Sequence, residues 1–361
     1  MIVGVIGGGQ LGRMMGLAGL NLGVRFVFLD PDPDACARDV GEHLCAGFDD
    51  AQALDALASR ADVLTFDFEN VPETSLASLQ GRVRVAPCAR ALGVSQDRRR
   101  EKELFRELGI PTAEFRLVDS VDGLAPAIDA VGLPAVLKTR RLGYDGKGQS
   151  VIRSHDEAAA AWEAIGGVPA ILEAFVEFTR EVSVIAARGR DGQTAIYPLC
   201  ENVHRDGILR TTRPRPGDPA SSSAGEMISR LLDALDYVGV LTLELFDTCG
   251  GLVANEYAPR VHNSGHWTIE GAQTSQFENH IRAIAGLPLG ETSVVETCAM
   301  LNIVGAIPPA EEVLAVPGAH LHLYGKAPRP GRKVGHITIR STSAEEVEQG
   351  VAALSALEGV G

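Results

Sequence analysis

Lys138-Thr139-Arg140-Arg141-Leu142-Gly143-Tyr144-Asp145-Gly146-Lys147-Gly148-Gln149 is the stretch on which the reading of this chain turns. A strand-like run, Ala135 to Thr139, ends beside a lysine and opens into a loop with three glycines. Such a loop lets backbone N–H groups close around phosphate oxygens while the lysines neutralise charge. The spacing is not G-x-x-x-x-G-K-[ST], so this is not a P-loop. Read alone, the same residues also fit a plain glycine-rich hairpin turn.

Toward the C-terminus, Val240 to Asp247 and Leu252 to Tyr257 flank the turn Thr248-Cys249-Gly250-Gly251 and predict a hairpin. With a three-residue loop, Cys249 to Gly251, Glu244 faces Glu256, and two carboxylates so close repel unless a divalent cation lies between them. Oxygen ligands facing phosphates favour Mg2+. A four-residue loop puts Asn255 opposite Glu244 instead. Ile171 to Val176 leads from a strand into an apolar segment suited to an adenine, and Glu181 follows at a distance suited to ribose hydroxyls. Arg213 to Ser223, with three prolines and three serines, is expected to be a mobile loop.

Toward the N-terminus, Gly7-Gly8-Gly9-Gln10-Leu11-Gly12 satisfies G-x-G-x-x-G between a strand and a helix, and Asp30 ends the next strand. Taken alone this is a dinucleotide fingerprint and would make the chain an NAD-dependent oxidoreductase. Asp30 is followed by Pro31-Asp32-Pro33, however, and serves equally as a turn residue. The glycines do require a tight turn that brings N–H groups to an anion at a helix N-terminus.

The 361 residues suffice for two or three modest domains. Strand and helix alternate from Met1 to about Ala89, predicting a parallel α/β domain. Gln96 to Leu108 is read as a helix, stopped by Gly109 and Pro111. Mixed strands and helices follow to about Gly290, and a third segment contains His320 to Tyr324, His336 to Arg340 and a helix from Ala344. The expected fold class is α/β, mixed α+β, divided at 1–95, 96–290 and 291–361. A net charge of -14 argues against nucleic acid or an anionic membrane as partner. Six scattered cysteines show no metal or disulfide spacing. No apolar run reaches the roughly 18 residues of a membrane span, and Met1 leads into a strand rather than a signal peptide, so a cytoplasmic location is expected.

Several of these stretches together resemble the N5-carboxyaminoimidazole ribonucleotide synthetase family of ATP-grasp ligases: Gly7 to Met14, Phe68-Glu69-Asn70-Val71, Gly143 to Gln149, Tyr197-Pro198, Asn202-Val203-His204, Ala258 to Trp267 and Tyr324-Gly325-Lys326. The resemblance runs through nearly the whole chain. It implies an ATP-grasp fold with an N-terminal Rossmann-like domain and a small C-terminal domain, a homodimer, ATP and Mg2+ as cofactors, and carboxylation of 5-aminoimidazole ribonucleotide with bicarbonate in purine biosynthesis. A formate-using transformylase or a biotin-carboxylase type would share the ATP half. Carried over residue by residue, the nucleotide contacts fall on Arg98, Lys138, Gly143, Tyr144, Asp145, Gly146, Lys147, Gly148, Gln149, Glu173, Ala174, Phe175, Val176, Glu181, His204, Asn255 and Glu256. The metal pair falls on Glu244 and Glu256, and the ribonucleotide contacts on Gly9, Gln10, Leu11, Glu69, Tyr144, Asp145, Arg260, His262, Lys326, Arg332 and Lys333. Asp145, Tyr144, Lys138 and Arg260 are the implied catalytic residues. Asp67 stands where the family usually has Glu, and Ala258 where many other ATP-grasp enzymes have a metal-binding Asn.

Overall fold

Ile2–Ile6 and Val63–Phe66 are almost wholly apolar because they are interior strands of a parallel sheet, covered on both faces. The computed structural model describes residues 1–143 and 146–361. In this first sheet the order is Glu42–Leu44, Arg25–Leu29, Ile2–Ile6, Val63–Phe66, Arg84–Val85, all parallel. Helix Gln10–Leu20 leaves the glycine turn and packs against helix Gln276–Ala285 of the region that follows.

A second sheet of four antiparallel strands has the order Phe115–Val118, Ala170–Ala174, Ala135–Thr139, Gln149–Ile152. Helices Leu124–Val131 and Ala158–Ala164 cover it through Leu124, Ile128 and Ala161.

The third sheet has nine strands. From its edge at Gly251–Ala258 it runs through Gly239–Thr248, Arg180–Arg188, Cys200–Arg205, Ile208–Pro214, Thr297–Val304 and Lys333–Ser341 to Ala319–Leu323, with Thr194–Ile196 beside Arg180–Arg188. Alternation separates its faces. Val182, Val184, Leu241, Leu243 and Leu245 pack under helices Arg98–Glu107 and Ser221–Ala234, while Ile185, Ala187 and Val240 join a different core with Phe277 and Ile281. Glu181, Ser183 and Glu244 have the parity of this second face.

Two expectations are corrected. The helix read as Gln96 to Leu108 begins at Arg98, because Asp97 caps it by accepting from Arg99 N at 3.0 Å, and a separate helix, Ala89–Ser95, precedes it. Arg213 to Ser223 is not a free loop. Arg213 belongs to a strand, Ser221 starts a helix, and between them Asp218 accepts two hydrogen bonds from Arg180 at 2.6 and 2.9 Å. Proline and serine content revealed the turn but not this paired charge.

Candidate active site

Lys138 is next to last in the strand that leads into the glycine loop, and its Nζ donates to Glu173 Oε2 at 2.9 Å and to Asn255 Oδ1 at 3.4 Å. Lys138 and Glu173 belong to the four-stranded sheet and Asn255 to the nine-stranded one, so the lysine spans the cleft between them. Burial alone would raise the Glu173 carboxyl; Lys102, Lys138 and Arg98 overcome it and hold the group down to about 2. The loop closes by Thr139 N donating to Gly148 O at 2.8 Å. Gly148 sits at φ +72, where a Cβ would lie 2.8 Å from Thr139 Oγ1, so glycine is required. Tyr144 and Asp145, expected at this loop, lie outside the described residues. Gly143, Gly146, Lys147 and Gln149 form the rest of it.

The hairpin settles the open register in an unexpected way. Its turn has two residues, Cys249 and Gly250, between the pair Thr248 and Gly251, and this register alone would set Asn255 against Glu244. A bulge at Asn255 inserts one residue, so Leu245 pairs with Ala254 but Glu244 pairs with Glu256. The two glutamates do face each other, though not through the three-residue loop expected. The sequence holds the signal: Leu252, Ala254 and Tyr257 share one core, a spacing of two and then three.

Each carboxylate has a hydrogen-bonding partner at its side. Arg98 Nη1 donates to Glu256 Oε2 at 2.8 Å, and His262 Nε2 lies 3.0 Å from Glu244 Oε1. His262 Nδ1 accepts from Ser264 N at 3.3 Å, which leaves Nε2 as the nitrogen bearing hydrogen toward Glu244. Behind His262 runs a buried chain: Thr212 Oγ1 donates to Asn202 Oδ1, Asn202 Nδ2 to Ser183 Oγ, and Ser183 Oγ to Ser264 Oγ, at 2.8 to 2.9 Å, with Ser264 Oγ 2.9 Å from His262 Nδ1. Burial would raise the Glu244 carboxyl, but His262, His204 and Lys333 hold it at about 2. On the same face Glu181 stands 2.7 Å from His204 Nδ1, and its pull, with that of Glu244, raises the imidazole against the effect of burial.

Two facing carboxylates, with the cleft lysine nearby, fit a hard divalent cation that takes one or two protein oxygens and completes its shell from phosphates and water. Among the described residues no cluster of three or more His, Cys, Asp or Glu is placed to hold a metal alone.

At the other end, Arg260 Nη2 pairs with Glu69 at 2.7 Å, and Lys326 Nζ donates to Gln10 Oε1. Arg332 Nη1 donates to Ala327 O at 3.2 Å. Lys326 and Arg332 are close enough to affect the Cys36 thiol, and Lys333 acts on both Lys326 and Glu244. The basic group therefore reaches from the glycine turn toward Glu244. Gly9 caps the helix that leaves that turn, and Leu11 lies in its first helical turn.

The anion at the start of helix Gln10–Leu20 is the protein's own. Asp67 Oδ2 accepts from Gly12 N at 2.9 Å, and a Cβ on Gly7 would meet Asp67 Oδ1 at 1.7 Å. Burial pushes the Asp67 carboxyl from an ordinary 3.8 up to about 6. Asp30 accepts from Gly8 N at 2.7 Å and Asp32 N at 2.9 Å, so it ties the turn together. The dinucleotide reading loses both its helix N-terminus and its ribose acid. The adenine segment is also more committed than expected: Ala174 N donates to Glu114 O and Phe175 N to Pro134 O, while Phe175 is exposed and Val176 half-buried.

Sequence reading missed Glu101 and Lys102. They sit in the charged run Arg98 to Glu103, which resembles a solvated helix face, yet each is only 1–2% exposed. Their position at i+3 and i+4 from Arg98 was the available clue.

The comparisons agree along the chain. The family models that match are the ribonucleotide synthetase preATP-grasp domain over residues 1–96, the ATP-grasp domain over 103–277 and the phosphoribosylaminoimidazole carboxylase C-terminal domain over 298–350. The N5-carboxyaminoimidazole ribonucleotide synthase of Pseudomonas aeruginosa is 54% identical over 357 residues, 99% of either chain. The crystal structure of N5-carboxyaminoimidazole ribonucleotide synthetase from Thermus thermophilus superposes with a TM-score of 0.94 at 53% identity, covering 98% of both chains. The Aspergillus clavatus synthase in complex with ADP and 5-aminoimidazole ribonucleotide gives 0.90 at 33% identity, covering 97% of this chain and 96% of that one.

Proposed function

We propose a reaction and its residues from one premise: this chain belongs to the N5-carboxyaminoimidazole ribonucleotide synthase family of ATP-grasp ligases. It is an ATP-dependent ligase that carboxylates 5-aminoimidazole ribonucleotide with bicarbonate in purine biosynthesis, releasing ADP and phosphate. The observation that supports this most directly is the facing pair Glu244 and Glu256 beside the Lys138–Glu173 cleft.

In this reading ATP lies across Lys138, the glycine loop, Glu173 to Val176, Glu181, His204, Arg98 and Asn255. Glu244 and Glu256 would hold Mg2+, which would neutralise charge on the terminal phosphates when bound. A bicarbonate oxygen attacks the γ-phosphorus, the bond to ADP breaks, and carboxyphosphate forms; Lys138 and the loop N–H groups stabilise the transferring phosphoryl by position and charge. The exocyclic amine of the ribonucleotide then attacks the carboxyl carbon, phosphate departs, and the amine proton passes to Asp145. Tyr144, Arg260, His262 and Glu69 orient the imidazole ribonucleotide. Lys326, Arg332 and Lys333, with Gly9, Gln10 and Leu11, receive its 5′-phosphate.

We take 1–95, 96–290 and 291–361 as its three domains, and a cytoplasmic homodimer as its working state. Among the described residues no helix is long and apolar enough to cross a membrane. The test is ADP release with ATP and Mg2+. Release that requires both bicarbonate and 5-aminoimidazole ribonucleotide is expected; release supported by formate, or by bicarbonate alone at the full rate, would select another acceptor.

A further inference from the structure

A strand with an inserted residue leaves backbone groups without ladder partners, and buried groups of that kind must be satisfied elsewhere. In Gly251–Ala258 the partners come from one face of helix Arg98–Glu107. Lys102 Nζ donates to Ala254 O at 3.3 Å and to Asn255 O at 2.8 Å. Two consecutive carbonyls turned to one ammonium cannot occur in a regular strand, where they alternate in direction. Glu101 Oε1 accepts from Tyr257 N at 2.8 Å, immediately beyond the bulge. One turn earlier Arg98 holds the Glu256 side chain itself. Thr112 Oγ1, which accepts from Lys102, also donates to Ala254 O at 2.9 Å, and Ala254 N donates to Pro111 O at 2.7 Å.

From this arrangement we infer that Glu101 and Lys102 are positioning residues for the phosphate-transfer site: they clamp the bulge at Asn255 and so set Glu256, rather than Asn255, opposite Glu244. The two-residue turn imposes the other register, and a one-residue slip turns Glu256 to the opposite face of the sheet. The helix overrides the turn. Neither residue need touch a substrate, since their effect passes through three backbone groups of the edge strand. The functional part of this inference rests on the assignment of Glu244 and Glu256 as the metal pair.

The experiment has two readouts on the full-length enzyme. The first is the crystal structure of Glu101→Leu, with Lys102→Met as the second variant should the first not fold. Asn255 paired with Glu244 is expected, and Glu256 still paired with Glu244 in both variants overturns the clamp. The second is ADP affinity by calorimetry with and without Mg2+. Glu101→Leu should reduce the gain in affinity on adding Mg2+ at least tenfold, over and above any loss of metal-free affinity from the displaced Asn255. Glu101→Gln, which keeps an oxygen for Tyr257 N, should restore the gain. A variant that merely loosens the fold would lower both affinities together, and that result counts against the clamp. Glu256→Gln serves as the control. If it abolishes the Mg2+ gain while Glu101→Leu preserves it, the metal pair stands and the clamp falls. If Glu256→Gln keeps the gain, the metal assignment fails, and the pairing seen in the crystal decides the clamp alone.

Discussion

Asp67 is a buried carboxylate whose charge is costly. Because burial raises it from 3.8 to about 6, the folded state binds more protons than the unfolded state between those values. Its contribution therefore lowers stability as pH rises through that window, by about 3 kcal/mol once pH exceeds 6. Asp67→Asn should flatten the fall in unfolding free energy between pH 4 and 6, and denaturant titrations at several pH values will show it. At the basic cluster, Lys333→Ala should raise the KM for the ribonucleotide about tenfold and the KM for ATP much less; equal changes would remove Lys333 from the 5′-phosphate. The placement of Lys138 at the cleft was legible because a motif carried it, whereas the residue facing Glu244 was open between Glu256 and Asn255. Residue chemistry was hidden where a charge is buried by residues remote in sequence, as Lys102 is by Ala254, or where an aspartate takes the helix N-terminus that a substrate anion was expected to fill.

The helix and strand assignments were legible wherever the apolar period was long, as in Gly239–Thr248 and Gln10–Leu20. They missed Cys200–Arg205 and Ile208–Pro214, whose polar Asn202 and Thr212 face a buried hydrogen-bond network rather than solvent and whose His204 pairs with Glu181. Polar residues inside a sheet read as loop unless their partners are known. The network has a measurable outcome. His262→Ala removes the first of the groups that hold the Glu244 carboxyl at about 2, including its hydrogen bond, so that carboxyl should titrate at higher pH. The acid limb of the ADP-forming activity should then move upward by at least one pH unit, as a pH–rate profile will show. An unmoved acid limb would mean that Glu244 does not govern it.

At the scale of the whole molecule, the unbroken nine-stranded sheet was the least legible feature, because strands far apart in sequence, Ile208–Pro214 and Thr297–Val304, meet only through tertiary pairing. A chain ending at residue 290 would expose the edge of Ile208–Pro214 and the apolar faces around Leu209, and should aggregate in size-exclusion chromatography. A soluble monomer of that fragment would show that the edge is protected. The sheet's path also bears on where the substrates meet. Five strand intervals lie between Glu244 and Lys333, about 24 Å across a flat sheet at the usual spacing. The charge of Lys333 nevertheless acts on the Glu244 carboxyl, in keeping with the twist that sheets of this length carry. Register shifts at Val203/His204 and Ile303/Val304 lie along that path, where bulges sharpen twist. If nucleotide and imidazole bind at these two ends, as proposed above, the twist of the sheet sets the distance over which the carboxyl group travels. On that reading, straightening either irregularity would leave every site side chain on its own strand and still change how far apart the two reactants are held.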